Sequence, residues 1–199
     1  MSIYWMQVLL WDALVSYRFT LPYSCLSPNK MPPSAQVEAV KISVHRRSNQ
    51  QQMQAESDIG SGACILRVSG DEIAVPTRHS IQVGVGLHLE TKGTKASDPG
   101  NEWRYLNHSC EPNAFLRGRD LVALRPIARG EQITFDYSAN EFDMATPFLC
   151  ACGARQCRGM IRGYRHLSDA ERALLAPIAN AHVCSEFAAS LAKSDGVVQ

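Results

Sequence analysis

The sequence predicts a mainly β fold of the α+β class, with its helices confined to the C-terminal end. Two observations lead to this prediction. From Gly60 to Tyr137 the chain is a series of short apolar stretches, each bounded by Gly, Pro, Asp or Ser, which is typical of short strands joined by tight turns. After Ser168 the apolar residues recur at roughly helical intervals instead.

The composition is that of a globular protein and narrows the range of functions. The chain has 199 residues, enough for one domain with a hydrophobic core or at most two small ones. Its hydrophobic fraction of 45% excludes wholesale disorder. With 20 Lys and Arg against 19 Asp and Glu, the net charge is +1, so we do not expect a nucleic-acid partner held by bulk electrostatics.

Residues 1–45 are predicted to be an N-terminal extension and linker. Residues 3–15 are apolar, but this stretch contains Gln7 and Asp12 and is shorter than the ~20 residues that a membrane-spanning helix needs. No basic residues precede it, as they would in a signal peptide. We expect either a short amphipathic helix or a true start at Met31, with residues 1–30 outside the folded unit. Both alternatives favour a cytoplasmic protein with no membrane partner, or a nuclear one if the source is eukaryotic.

Short strands are predicted along the middle of the chain. They cover residues 63–68, 72–75, 80–90, 114–116, 121–124 and 131–137, and residues 92–101 form a polar loop. The pattern Ile-x-x-Gly-x-x-Ile occurs at residues 59–65 and again at residues 127–133. We expect Gly62 and Gly130 each to form a tight turn directly before a strand.

The C-terminal tail, residues 164–199, is predicted to be helical. Ser168 and Glu171 have the spacing of a capping box, and Pro177 divides the tail into two segments. The apolar positions at helical spacing are Leu174, Ile178, Val183, Phe187 and Leu191.

Three cysteines crowd into one short segment, at Cys150, Cys152 and Cys157. Zinc prefers four tetrahedral ligands, and these thiols could supply three of them. Cys110 is the best candidate for the fourth, because it lies in the other polar, motif-like segment. Four cysteines leave no open position, so we expect a structural zinc ion. Free surface thiols or a redox pair are the less favoured alternatives.

Residues 104–113 form the second polar segment. Asn107 and His108 place hydrogen-bond donors and acceptors side by side, next to the presumed ligand Cys110, and Pro112 and Asn113 predict a turn. A binding role for this segment is therefore favoured.

Three motifs resemble those of SET-domain protein-lysine methyltransferases that carry a post-SET zinc segment. They are NHSCEPN at 107–113, GEQITFDYS at 130–138 and CACGARQCRG at 150–159, in that order and spacing. The resemblance covers about residues 50–160. It implies a SET domain at 46–147, a post-SET zinc segment at 148–163, and a fold of small β-sheets in which one segment threads under another.

The resemblance also implies an activity and its residues. In the family, the Asn-His pair contacts S-adenosylmethionine; here these residues are Asn107 and His108, with Tyr105 as a further expected contact. The motif cysteines bind zinc; here they are Cys110, Cys150, Cys152 and Cys157. The Tyr of the second motif, here Tyr137, stands beside the methyl group and the target lysine. The implied partner is a histone or non-histone protein that presents a lysine.

The chemistry of this reaction is consistent with these residues. The attacking lysine amine must be neutral, although its ordinary pKa is about 10.4. A narrow apolar channel and the adjacent sulfonium would both lower that pKa, so no strong general base is required. We expect Tyr137 to orient the amine, and alignment of amine, methyl and sulfur to supply much of the rate.

Two departures from the family pattern leave an alternative open. Gln50, Gln51 and Gln52 stand where the family has a Gly-x-Gly turn around the cofactor, and residues 80–90 hold no aromatic side chain to line a lysine channel. The alternative is a SET-like zinc-binding interaction module with a degenerate cofactor site and no activity. A zinc-ribbon-like nucleic-acid binder is disfavoured by the charge balance.

Overall fold

The computed structural model describes residues 40–47, 50–93, 95, 98 and 100–195. The predictions for residues 1–39, including the apolar stretch 3–15 and the start at Met31, lie outside the described residues. Among the helices in the described part, none is long and apolar enough to cross a membrane.

The predicted mainly β fold with C-terminal helices is confirmed. The described strands are short and form five small sheets rather than one large one. In chain order they are β1 (Ile42–Arg47), β2 (Gln50–Ala55), β3 (Cys64–Arg67), β4 (Asp71–Ile73), β5 (Ile81–Gly84), β6 (Leu87–Glu90), β7 (Asn107–His108), β8 (Ala114–Arg117), β9 (Asp120–Ala123), β10 (Thr134–Phe135), β11 (Phe148–Leu149) and β12 (Met160–Ile161).

Four of the five sheets are antiparallel and one is parallel. The sheets with three strands have the orders β3-β9-β8 and β4-β6-β5, and β1 pairs with β2 and β11 with β12. The parallel pair is β7 with β10, in which Asn107 lies opposite Thr134 and His108 opposite Phe135. This pair joins two segments that are far apart in the sequence.

The two Ile-x-x-Gly-x-x-Ile segments meet in space. Ile59 and Ile127 form an isolated antiparallel bridge, each donating its N–H to the other's carbonyl at 2.8 and 2.9 Å. Gly62 and Gly130 have φ of 79° and 81°, a conformation that favours glycine, so the predicted turns are confirmed. The repeated pattern therefore marks two turns that face each other across the core.

Two strand predictions differ from the structure, and β2 is among the strands that were not predicted. Residues 80–90 form a hairpin of β5 and β6 rather than one strand, with Gly86 in the turn at φ 62°. Residues 131–137 contain only the two-residue β10. A 3-10 helix begins at Tyr137, so the strand cannot extend to that residue. The glutamine-rich residues 50–55, for which no strand was predicted, form β2 of the β1–β2 hairpin, in which Met53 and Ala55 are buried.

Two hydrophobic clusters hold the described chain together. The larger cluster lies between the small sheets and includes the fully buried Met53, Leu89, Leu121 and Ile133. The second cluster lies under the C-terminal tail, where Ile178 and Val183 pack with Tyr164. Each fully buried side chain of this size contributes about 1.5–3 kcal/mol by leaving water.

The C-terminal tail folds as predicted into two helices, α1 (Asp169–Leu175) and α2 (Ala181–Asp195). The capping box of Ser168 and Glu171 is present at the start of α1. Of the five predicted apolar positions, Ile178 and Val183 are buried and Phe187 is partly buried, whereas Leu174 and Leu191 are exposed.

Polar contacts fasten α2 to the body of the protein. Asn180 bonds to both backbone groups of Gly118, at 2.9 and 3.1 Å, and to the side chain of Asn140 at 2.9 Å. Glu186 accepts from the side chain of Gln82 in β5 at 2.6 Å. Because Asn140 belongs to the segment after Tyr137 and Gln82 bonds to Asn140 and Phe142 in it, these contacts hold the tail against that segment.

Candidate functional site

The parallel pairing of β7 and β10 places the second polar segment beside the strand that leads to Tyr137. Asn113 holds this arrangement from within, and only 2% of its surface is exposed. Its side chain donates to the carbonyl of Gln132 at 2.7 Å and accepts from the N–H of Thr134 at 2.8 Å. The sequence predicted only a turn at Asn113, and its bridging role could not be read from the motif.

A cavity of about 630 Å³ opens beside this junction. Binding sites for small molecules generally measure about 300–1,000 Å³, so the cavity has the size of such a site. Its wall is formed mainly by residues 76–81, residues 106–109, Tyr137, Glu141 and residues 148–152. The cavity therefore brings the three sequence motifs together.

Tyr137 is held in the cavity wall by two hydrogen bonds. Its hydroxyl donates to the carbonyl of Leu106 at 2.7 Å, and its backbone N–H donates to Nδ1 of His108 at 3.2 Å. The rings of Phe135 and Phe148 lie 4.8 and 5.9 Å from its ring. Burial, and then the charge of Glu141, raise the pKa of Tyr137 well above its usual value, so the hydroxyl stays protonated.

His108 links Tyr137 to the cysteine cluster. Since Nδ1 accepts the N–H of Tyr137, the neutral ring carries its proton on Nε2, which lies 3.3 Å from Sγ of Cys110. Burial, together with the charge of Arg158, lowers the pKa of His108 to about 4. The imidazole is therefore neutral at physiological pH, with its two nitrogens in different roles.

Asn107 faces the cavity next to His108. Its side-chain amide donates to the carbonyl of Gln51 in β2 at 3.1 Å. This contact joins the polar segment to the three glutamines. Gln50 lines the cavity, whereas Gln52 is 6% exposed and its Nε2 has no hydrogen-bond partner among the described residues.

Tyr105, the further expected cofactor contact, is placed differently from Asn107 and His108. It ends the 3-10 helix Glu102–Tyr105 and is 9% exposed. It is not among the residues that line the cavity in the described structure. Its role as a cofactor contact remains a prediction.

The aromatic lining of the cavity does not come from residues 80–90. Ser80 and Ile81 are the members of that segment that reach the wall, and Val85 is 65% exposed in the hairpin turn. Aromatic side chains instead come from elsewhere in the chain: Trp103, Phe135, Tyr137 and Phe148. The departure seen in the sequence is therefore compensated in part by the tertiary structure.

The structure brings the four predicted cysteines together. The sulfur atoms of Cys110, Cys150, Cys152 and Cys157 all lie within 4.8 Å of one another. Four sulfurs at 2.3 Å from a tetrahedral zinc ion would be roughly 3.8 Å apart, so the donor set and its spacing fit such an ion. The four residues come from the segment after β7 and from the loop between β11 and β12.

These thiols must lose protons before they can hold a cation. Burial raises the pKa of Cys110 to about 11 and that of Cys150 to about 12. Burial also acts to raise the pKa of Cys152, but hydrogen bonds from backbone groups and neighbouring thiols lower it to about 6. A divalent cation binds thiolates, so its binding at this cluster would release protons.

A buried ion pair fastens the cysteine loop to the strand before Tyr137. Nη2 of Arg158 contacts both carboxylate oxygens of Asp136 at 2.6 Å, and the side chain of Asp136 is fully buried. The backbone N–H of Arg158 points to Sγ of Cys110 at 3.5 Å. Although burial outweighs them, the backbone hydrogen bond and the charge of Arg158 also act to lower the pKa of Cys110.

Glu141 is a further cavity residue that the sequence did not reveal. Its Oε1 accepts from the backbone N–H of Gln82 at 2.9 Å and from the side chain of Asn140 at 3.1 Å. Burial, opposed by these hydrogen bonds, raises its pKa to about 7. The sequence shows only that Glu141 follows Tyr137 by four residues, and this spacing alone does not indicate that it lines a cavity.

This fold and this site define the class of protein. The sequence pattern of the SET domain matches residues 16–138, more than half of the chain. The chain therefore belongs to the SET domain family, as the three motifs predicted.

Its relatives are named as methyltransferases. The chain is 36% identical over 91 residues to methyltransferase flvH of Aspergillus flavus, covering 44% of this chain and 47% of that protein. It is 45% identical over 67 residues to human histone-lysine N-methyltransferase 2B, covering 30% and 2%. It is 30% identical over 138 residues to the H3 lysine-36 specific enzyme of Yarrowia lipolytica, covering 60% and 18%. The chain thus spans about half the length, or less, of these curated relatives.

A solved structure shares the fold. The crystal structure of KRYPTONITE in complex with mCHG DNA and SAH superimposes with a TM-score of 0.50 at 22% identity, covering 61% of this chain and 29% of that one. At this identity the likeness shows the fold alone.

Proposed function

We propose that this protein transfers a methyl group from S-adenosylmethionine to the side-chain amine of a protein lysine. The observation that carries the proposal is that Asn107, His108 and Tyr137 line one cavity of about 630 Å³. Relatives named as histone-lysine methyltransferases support it. Histones are therefore the first substrates to test, with non-histone proteins beside them.

The proposed roles follow from the contacts of each residue. When bound, the cofactor supplies a methyl group on a positively charged sulfur. Asn107 and His108 bind the cofactor from β7, and the carbonyl of Gln51 orients the amide of Asn107. Tyr137, whose hydroxyl donates to the carbonyl of Leu106, positions the amine. The aromatic rings around it exclude water. Exclusion of water favours the neutral amine that attacks.

We further propose that Cys110, Cys150, Cys152 and Cys157 hold a structural zinc ion. The cluster closes the loop between β11 and β12, and that loop forms one wall of the cavity through residues 148–152. Binding of the ion would thereby order the cavity wall. No catalytic step is assigned to the ion, because four sulfur ligands leave no open position.

The interaction module without activity remains the second candidate. One observation favours it: glutamine side chains of β2 lie at or near the cavity. Gln50 lines the wall, and Gln52 is buried, with an amide nitrogen that has no hydrogen-bond partner among the described residues. If these side chains block the cofactor, the fold and the cysteine cluster would persist without transfer.

The first experiment is a calorimetric titration of the zinc-loaded full chain with S-adenosylmethionine. We expect one-to-one binding with a dissociation constant on the order of micromolar. Transfer of labelled methyl groups to purified core histones and to a panel of lysine peptides then tests the reaction. Absence of binding by a folded, zinc-loaded protein would overturn the enzyme and favour the interaction module.

A further inference from the structure

Glu141 lies one turn beyond Tyr137 on the wall of the same cavity. Its backbone N–H donates to the carbonyl of Tyr137 at 2.8 Å, so the two residues are joined directly. Both residues line the cavity. A carboxylate thus stands beside the residue proposed to position the substrate amine.

The carboxylate is anchored on one side only. Oε1 receives both hydrogen bonds, from Gln82 at 2.9 Å and from Asn140 at 3.1 Å. Among the described residues, no Lys, Arg or His forms an ion pair with Glu141. Glu141 is partly buried, and a partly buried carboxylate without a cationic partner is costly, so a cation that enters the cavity would be bound favourably.

In the described part of the chain, the side chains packed directly against Glu141 are uncharged or acidic: Tyr137, Asn140, Gln82 of β5, and Glu186 of α2, which contacts Gln82 at 2.6 Å. Arg78, His79, Arg104 and His108 line the same cavity, and none of these four forms an ion pair with Glu141. His88 and His182 lie near Glu186, and the ring of His182 bonds to the carbonyl of Asn140 at 2.7 Å. Burial first, and then Glu186, raise the pKa of Glu141 to about 7.

We propose that Glu141 binds the ammonium group of the substrate lysine in the cavity and accepts its proton before methyl transfer. This inference rests on the proposed function and names a residue for it. It also modifies the expectation that no base is needed, because a base with a pKa near the working pH transfers protons efficiently.

The step balances as follows. One N–H bond of the lysine ammonium breaks, its proton passes to the free oxygen of Glu141, and the electron pair stays on nitrogen. The neutral nitrogen then bonds to the methyl carbon while the carbon–sulfur bond breaks, and that electron pair passes to the sulfur. The products are a protonated methyl-lysine and a neutral thioether, and Glu141 returns its proton to water.

A purely structural role is the rival explanation, because Glu141 also fastens β5 through Gln82. The variant Glu141→Gln keeps an oxygen for both hydrogen bonds and removes only the proton acceptor. Glu186 is not among the residues that line the cavity. Glu186→Gln removes the negative charge that helps to raise the pKa of Glu141. Asp143→Asn is the matched control, because Asp143 is exposed and pairs with Arg165 and His166 at 2.9 Å.

The test is the pH dependence of kcat for the zinc-loaded full chain, from pH 6 to 9.5, with saturating S-adenosylmethionine and the best lysine substrate. We expect kcat of the wild-type protein to fall below about pH 7. Glu141→Gln should lose roughly 10²-fold at neutral pH and regain rate with each unit of rising pH, as the free amine accumulates in water. Glu186→Gln should shift the acid limb to lower pH, and Asp143→Asn should follow the wild-type profile.

Two results would overturn the inference. If Glu141→Gln keeps the wild-type profile, or loses activity equally at every pH while folding normally, Glu141 does not accept the proton. Should Glu141→Gln fail to fold, an acid limb that does not move in Glu186→Gln contradicts the inference independently. A wild-type protein that binds S-adenosylmethionine but methylates no lysine overturns the proposed function as well.

Discussion

Nδ1 of His108 accepts the backbone N–H of Tyr137 at 3.2 Å, while Nε2 of the same ring lies 3.3 Å from Sγ of Cys110. One imidazole therefore joins the proposed catalytic tyrosine to the cysteine cluster. Because a neutral ring has one donor and one acceptor nitrogen, both contacts can form only in the tautomer with its proton on Nε2. The proposed cofactor site and the proposed metal site are thus joined through one side chain.

Replacement of Tyr137 tests its role in positioning the amine. Tyr137→Phe removes the hydroxyl that donates to Leu106 and leaves the ring packed against Phe135 and Phe148. We expect kcat to fall at least roughly tenfold, since misplacement of a reacting group lowers the rate by this order or more. The melting temperature should fall by only a few degrees.

Tyr164→Phe is the control for this variant, because Tyr164 is a buried tyrosine in the second hydrophobic cluster, away from the cavity. It should retain wild-type kcat. Unfolding of Tyr137→Phe, or equal kcat in both variants, would show that Tyr137 is a core residue.

Replacement of one cysteine tests the metal centre. Cys152→Ser removes one of the four clustered sulfurs, and we expect loss of bound zinc and faster proteolysis of residues 148–163. Zinc content by elemental analysis and limited proteolysis measure the two effects. Cys184→Ser, at an exposed cysteine in α2, should keep one zinc per chain. Unchanged zinc in Cys152→Ser would contradict the proposed ligand set.

Replacement of Asn113 tests the junction of β7 and β10. Asn113→Ala leaves the carbonyl of Gln132 and the N–H of Thr134 without their buried partner. We expect the free energy of unfolding to fall by about 2–4 kcal/mol, as unsatisfied buried groups cost about 1–3 kcal/mol each. Urea denaturation measures this loss. The exposed Gln156→Ala should change stability by less than about 0.5 kcal/mol, and an equally small change in Asn113→Ala would refute the bridging role.

The raised pKa of Glu141 predicts a pH dependence of stability that needs no substrate. Its folded pKa of about 7 lies above the unfolded value of about 4.3, so the native state binds more protons between these values. The stability that Glu141 contributes is therefore complete below about pH 4 and is lost as the pH rises to 7.

Glu141→Gln, which does not titrate, removes this dependence. Relative to the wild-type protein, the variant should gain up to about 3 kcal/mol in free energy of unfolding between pH 4 and pH 8. Denaturation of both proteins at several pH values measures the difference. A difference that stays constant over this range would show that Glu141 has an ordinary pKa.

Local sequence patterns predicted the features that depend on near neighbours. Ser168 and Glu171 form their capping box because a helix start needs only residues three apart. Gly62 and Gly130 form turns because glycine readily adopts positive φ. The spacing of Cys150, Cys152 and Cys157 similarly predicted their clustering. These properties are encoded within a few residues, so the rest of the fold does not alter them.

Tertiary structure decided the features that join distant segments. The glutamine-rich β2 is a strand because it pairs with β1 and buries Met53, although its sequence holds three consecutive polar residues. Asn113 became a bridge, and Arg158 the partner of Asp136, only when the chain brought them together. The sequence by itself determined the family, the cysteine set and the motif residues. The raised pKa of Glu141 and its place beside Tyr137 arose from burial and long-range contact, which depend on the whole fold rather than on local spacing.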